Sequence, residues 1–126
     1  MPVGNEIGGY EGNFTSIRTV EVNGDERIVE GTYIAKVSGQ LSGTISGTLT
    51  FSGRNERGTL TDLGVAYLDS GESPSGKGQG VYWSNAAGQW EIRGAYMLGD
   101  QMIVGEGQIT LSNGEFSLAG KIFELT

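Results

Sequence analysis

Cysteine and histidine are both absent from the 126 residues. Their absence excludes Ser-His-Asp and Cys-His triads, thiol redox chemistry, His-ligated haem and the usual Cys/His zinc sites. Without disulfides the fold rests on burial alone, and this length suffices for one domain around one core. Basic residues are few, with 8 Lys/Arg against 15 Asp/Glu and a net charge of −7. Such a surface repels phosphate backbones and anionic bilayers, so neither nucleic acid nor membrane is an expected partner. No apolar run approaches the roughly 20 residues of a transmembrane helix. The opening Met1-Pro2-Val3-Gly4-Asn5-Glu6 shows neither the basic nor the apolar region of a signal peptide, so a cytoplasmic location is expected. A sustained helical period is lacking too. The strings Gly76-x-Gly78-x-Gly80 and Gly105-x-Gly107 therefore precede no helix and form no phosphate cradle. Asp69 with Glu72, or Asp62 nearby, offers at most a weak Ca²⁺ site, because nothing matches an EF-hand loop. No cofactor and no metal are expected.

What the chain has is glycine, 23 of them, with apolar residues alternating between polar ones. Gly, Asn and Asp punctuate the alternation at the spacing of an all-β sandwich or barrel. Eight strands are expected, at about 10–22, 27–37, 41–52, 59–69, 78–84, 89–98, 101–111 and 115–125. Residues 1–9 are left as an N-terminal segment and 70–77 as an exposed, mobile loop rich in Ser, Gly and Pro. Consecutive short strands with hairpin connections most simply close into one small antiparallel up-and-down barrel spanning 1–126, with a β-sandwich as the alternative.

Two turns fix the register of the C-terminal half. Asn113-Gly114 is a type I′ signal and Gly99-Asp100 suits type II′. Counting outward pairs Tyr96 with Ile103, Trp90 with Ile109, Ile109 with Leu118 and Leu111 with Phe116. It also lines up Arg93, Glu106 and Lys121 on the opposite face. A slip of one residue would scramble this sorting, so the register is well specified. In the N-terminal half, Ile45, Leu49 and Phe51 are expected inside, with Leu63, Val65 and Tyr67 beside them. The faces of strands 10–22 and 27–37 stay open. The Ser-Gly-rich run 38–48 and the Thr-x-Thr pairs at 48–50 and 59–61 read as solvent-facing strand.

Four groups of residues carry the functional expectations. Trp90, Trp83, Tyr96, Tyr67 and Tyr33 are the candidate ligand-binding wall, since such rings join apolar area to a polar handle. Gly94, Gly105, Gly107 and Gly120 share the inner face with Trp90 and are expected to leave space beside it. Glu124 falls on that face near one mouth and is the candidate catalytic acid or base. Met97, Met102, Val104, Phe123 and Leu125 form an apolar cluster on the outer face, where a homo-oligomer would close; an N-terminal segment folded across them is the alternative. The Arg93–Glu106–Lys121 row reads as an outer salt-bridge ladder.

Eight Gly-rich strands with inner Trp and Tyr resemble the small ligand-holding barrels: lipocalins, avidins and the allene oxide cyclase type. The likeness is architectural and spans roughly 10–125. The early Gly-x-Trp of the first two groups is absent, Gly12-Asn13-Phe14 being its nearest counterpart. The resemblance implies a barrel that holds an apolar small molecule in its lumen. The cyclase type implies an alternative, a cofactor-independent isomerase or cyclase acting by pocket shape and a few polar groups. A structural or assembly module with a filled core is a third. An acidic or basic side chain in an open lumen would favour the enzyme.

Overall fold

In a computed structural model the chain is described over residues 3–125 and forms a closed barrel, β1–β8 in sequence order, every neighbouring pair antiparallel. The strands are β1 Val3–Asn23, β2 Glu26–Gly39, β3 Gly43–Gly53, β4 Arg57–Leu68, β5 Ser75–Ala86, β6 Gln89–Leu98, β7 Gln101–Ser112 and β8 Glu115–Leu125. β1 closes the barrel against both β2 and β8. The up-and-down order sends the turns at 24–25, 54–56, 87–88 and 113–114 to one end. The other three connections lie at the opposite end, the terminus end, with the start of β1 and the end of β8.

The turn chemistry works as the sequence requires. Asn113 and Gly114 both take positive φ, 53° and 77°, as a type I′ turn demands. Gly99 takes +59° at the first turn position. The pairs Tyr96–Ile103, Trp90–Ile109, Arg93–Glu106, Ile109–Leu118 and Leu111–Phe116 all form.

Two boundaries differ. Residues 3–9 are strand, because β1 pairs with β8 from Val3–Leu125 onward. The N-terminal segment therefore does not fold across the outer apolar cluster, and Ile7 points into the core. Ser75–Lys77 belong to β5, so the expected loop 70–77 shrinks. What is left is held by backbone bonds: Leu68 N–H to Glu72 O at 3.0 Å, Gly71 N–H to Leu68 O at 2.9 Å and Ala66 N–H to Pro74 O at 2.9 Å.

The inward face of β4 and β5 is the other parity from the one expected. Register pairs Leu49 with Asp62 and Phe51 with Leu60, so Leu60, Asp62, Gly64 and Ala66 face in. Leu63 and Tyr67 face out, 63% and 55% exposed. On β5, Gly76, Gly78, Gly80 and Tyr82 follow the inner face, and Trp83 is on the outside. The physical reason is room. The Tyr33 hydroxyl lies 3.5 Å from where a Gly64 Cβ would stand, and Tyr96 ring atoms occupy the place of a Gly78 Cβ. Only a small-residue face of β4 and β5 can accept these rings. Phe116 keeps the inner parity of Leu118 and pairs with Leu111, yet stands 50% exposed at the rim, because β1–β8 pairing ends at Asn13–Ser117 and leaves it no β1 neighbour.

One rule runs round the barrel. Gly12, Gly31, Gly47, Gly64, Gly78, Gly94, Gly105, Gly107 and Gly120 share the parity of the inner face of their strands. Inward aromatic rings lie across many of them: Phe14 over Gly31, Tyr33 over Gly47, Tyr96 over Gly94 and Gly105, and Tyr10 over Gly107 and Gly120. A strand without Cβ at that point gives a flat bed for a ring and relieves crowding in a tightly coiled sheet. The four glycines expected to leave space beside Trp90 are thus covered by Tyr10 and Tyr96.

Candidate functional site

The core divides the lumen into two ends. Leu49, Leu60, Ile92, Ile109 and Leu118 are each at most 3% exposed and form the packed middle. Toward the terminus end lies a cavity of about 100 Å³. Its apolar wall includes Ile45, Leu49, Ile92, Ile103 and Ile122. Its polar groups are Asp62 and the phenols of Tyr10, Tyr33 and Tyr96, with Lys77 also on the lining.

These residues converge because four strands turn the same parity inward: β1 gives Tyr10, β2 Tyr33, β4 Asp62 and β6 Tyr96. The Tyr33 hydroxyl lies 2.9 and 3.1 Å from the two Asp62 carboxylate oxygens and donates its proton to them. Asp62 has no ion pair among the described residues. Burial pushes its pKa up from 3.8 to about 6, and the Tyr33 hydrogen bond only partly opposes this. Burial also raises the pKa of Tyr33, with the nearby Asp62 charge adding to it. Tyr10 and Tyr96 move the same way, by burial first. All three phenols therefore stay protonated at neutral pH and serve as donors. Tyr10 and Tyr96 line the cavity and make no side-chain hydrogen bond among the described residues.

No protein-family model matches the chain, and no curated protein or solved structure matches it. The geometry must stand by itself.

Of the expected wall, Tyr33 and Tyr96 line this cavity. Tyr67 and Trp83 point away from the lumen, for the reason of parity given above. Trp90 is inward but at the opposite end, where its Nε1–H donates to Asn55 O at 2.8 Å. Glu124 pairs with Ile103 at the mouth of the terminus end, and it is not part of the cavity wall. The carboxylate in the lumen is Asp62 instead, expected from its sequence only as a neighbour of Asp69 and Glu72 in a weak Ca²⁺ site. Asp69 accepts from Ser42 Oγ at 2.9 Å, and no cluster of three metal-ligating side chains exists among the described residues. Asp62 had a signal: it shares the parity of Gly64, and the glycines mark the inner face.

The outer face splits as well. Met97 and Met102 pair and stand 45% and 42% exposed, whereas Val104 between Ala95 and Phe123 is buried at 7%. Arg93 Nε reaches Glu106 at 3.7 Å, and Lys121 turns from Glu106 to Glu6 at 3.6 Å. The row faces solvent.

Proposed function

We propose that the barrel is a small-molecule receptor whose lumen takes an apolar guest with one polar group, held at Asp62, Tyr33, Tyr10 and Tyr96. One observation carries the reading: a carboxylate with no ion pair among the described residues sits in a largely apolar cavity. Folding gains nothing from it, since a raised carboxyl pKa means that the ionised form is less stable in the fold than in water. A costly polar group kept beside a cavity is characteristic of a site rather than of a scaffold. An apolar cavity of about 150 Å³ takes up benzene; at about 100 Å³ this one suits a guest no larger than a single small ring. The test compares toluene, cyclohexanol and 2-cyclohexenone by NMR titration. The two oxygenated probes should bind more tightly than toluene and shift the Asp62 ¹³Cγ signal. Equal binding of all three, or no shift, would remove the proposal.

A second reading, a cofactor-independent isomerase or cyclase, is favoured by the pKa of Asp62 near 6. A base poised there takes a proton from carbon beside a carbonyl at neutral pH. The C–H electron pair moves into the new C=C bond, and the carbonyl oxygen gains charge against the phenol donors. Asp62, now protonated, returns the proton at another carbon, so atoms and electrons balance with no co-reactant. Deuterium incorporation into 2-cyclohexenone in D₂O should be faster with the wild type than with Asp62→Asn, and should rise with pH through about 6. Equal rates leave only the receptor.

The exposed Met97–Met102 pair supports self-association through that face, with Phe123 and Leu125 at its edge. Met102→Lys with Phe123→Glu should then convert an oligomer to monomers in light scattering. A monomeric wild type at high concentration would exclude it.

A further inference from the structure

The opposite end of the barrel holds a second and larger cleft, about 470 Å³, that the lumen reading does not use. β1 and β2 build one side of it. β1 pairs with β8 only as far as Asn13–Ser117, yet continues with β2 to Asn23–Glu26. Residues beyond Phe14 therefore form a hairpin with one free edge, bent by register shifts at Phe14/Ser16 and Thr19/Glu21. Ile17, Val22 and Val29 of this hairpin line the cleft. Phe51, Trp90 and Leu111 face them from the barrel rim.

The connection after β3 forms the rest of the rim, and it is pinned. The Tyr82 hydroxyl donates to Arg54 O at 2.6 Å, and Trp90 Nε1–H to Asn55 O at 2.8 Å. Arg54 N–H donates to Arg57 O at 3.0 Å, and Ser84 N–H to Glu56 O at 2.8 Å. Arg54 thus projects from a fixed backbone. Across from it, Arg27 Nη2 donates to Asn55 Oδ1 at 3.1 Å. Neither guanidinium has an ion pair among the described residues, and no Asp or Glu lines the cleft. In a chain of net charge −7, the charged side chains that line this cleft are two arginines without an ion pair among the described residues, although Glu26 and Glu56 stand near them in the sequence.

We infer that this cleft binds a free single-chain amphipathic carboxylate, its hydrocarbon between the hairpin and the rim and its head group on Arg27 and Arg54. The volume falls in the range of about 300–1,000 Å³ usual for ligand pockets. The guanidinium fork matches a carboxylate bidentately. An anionic bilayer is disfavoured as the source, because the acidic remainder of the surface would be repelled by it. The site is separate from the Asp62 cavity, so either can fail without the other.

The experiment uses dodecanoate below its micelle concentration, with Trp90 as the sole tryptophan in a Trp83→Phe background. Saturable binding with a blue shift of Trp90 emission is expected. Arg27→Gln with Arg54→Gln should weaken dodecanoate at least tenfold and leave dodecanol binding unchanged. Both side chains are exposed, so the fold should survive, as circular dichroism will check. Asp62→Asn should leave dodecanoate affinity unaltered. Dodecanoate binding no tighter than dodecanol, equal loss of both probes in the double variant, or binding to phosphatidylglycerol vesicles alone would overturn the inference.

Discussion

The two ends of this lumen use the same material to opposite effect. Both set aromatic rings across glycines, Tyr10, Tyr33 and Tyr96 at one end, Phe14 and Tyr82 at the other. At the terminus end the phenols point at a carboxylate and at a cavity of about 100 Å³. At the hairpin end, Tyr82 and Trp90 spend their polar atoms on the backbone of the 54–56 turn, and the charged groups are arginines on the rim. The difference lies in where the hydrogen bonds go. A ring whose polar atom is bound to backbone holds the rim in place; a ring whose hydroxyl is unpaired or bound to Asp62 leaves a polar group in the lumen.

The comparison depends on the packed middle, so breaking that layer should have the largest effect. Leu60 is 1% exposed and lies next to Phe51 in the register. Leu60→Ala should cost about 2–5 kcal/mol, from lost burial and the cavity left behind. Urea unfolding would show it as a lower midpoint with an unchanged slope. A loss below 1 kcal/mol would mean that the two ends are not divided by a packed layer.

The second test bears on the terminus end alone. Because the Asp62 pKa rises on folding, from 3.8 to about 6, the folded state holds its proton more tightly than the unfolded state does. Between these values the native chain binds more protons, so stability falls as pH rises from about 4 to 6. The drop is of the order of 3 kcal/mol, at 1.36 kcal/mol per unit. Asp62→Asn should flatten this part of the profile and be the more stable protein at pH 7, since Tyr33 can still donate to the amide oxygen. A wild-type profile without that slope would show a solvated carboxyl and weaken the case for the site.

How much of this was open to reading in the residues depends on which cue was followed. The two-residue turns at Gly99-Asp100 and Asn113-Gly114 fix β6, β7 and β8 to the exact pair, since a turn type sets register without knowledge of the rest. β4 and β5 lack such a turn between them. There, size of side chain suggests Leu63, Val65, Tyr67 and Trp83 for the interior, and it misleads, because the interior of this barrel is already filled by rings from β1, β2 and β6. The glycines at 64, 76, 78 and 80 give the right face. They also bring Asp62 inside, so the same misjudged parity hid the site. Where the ring of Tyr33 lands depends on tertiary packing across three strands, and no local pattern encodes it.

At the hairpin end the expected effect is smaller. Trp90→Phe keeps most of the ring and loses the bond to Asn55 O, about 0.5–1.5 kcal/mol. Amide exchange at 54–57 should quicken, while the Asp62 titration stays where it is. A shifted Asp62 titration would show that the two ends are coupled.

The smallest effect is expected on the outside of the same sheet, where it completes the contrast. Glu106 on β7 and Asp62 on β4 are both strand carboxylates, but they face opposite ways. Glu106 has Arg93 at 3.7 Å and is 45% exposed; Asp62 has a phenol and an apolar wall. Exposed pairs of this kind contribute about 0.2–1 kcal/mol, because water already solvates both ions and ordering two long side chains has an entropic cost. Glu106→Gln should therefore lower stability by no more than about 1 kcal/mol, with the loss shrinking as salt screens the pair. It should leave probe binding at Asp62 and dodecanoate binding at Arg27 and Arg54 unchanged. A large loss of either would place Glu106 in contact with a lumen, and the division of this sheet into a wet outer face and a ring-lined inner one would fail with it.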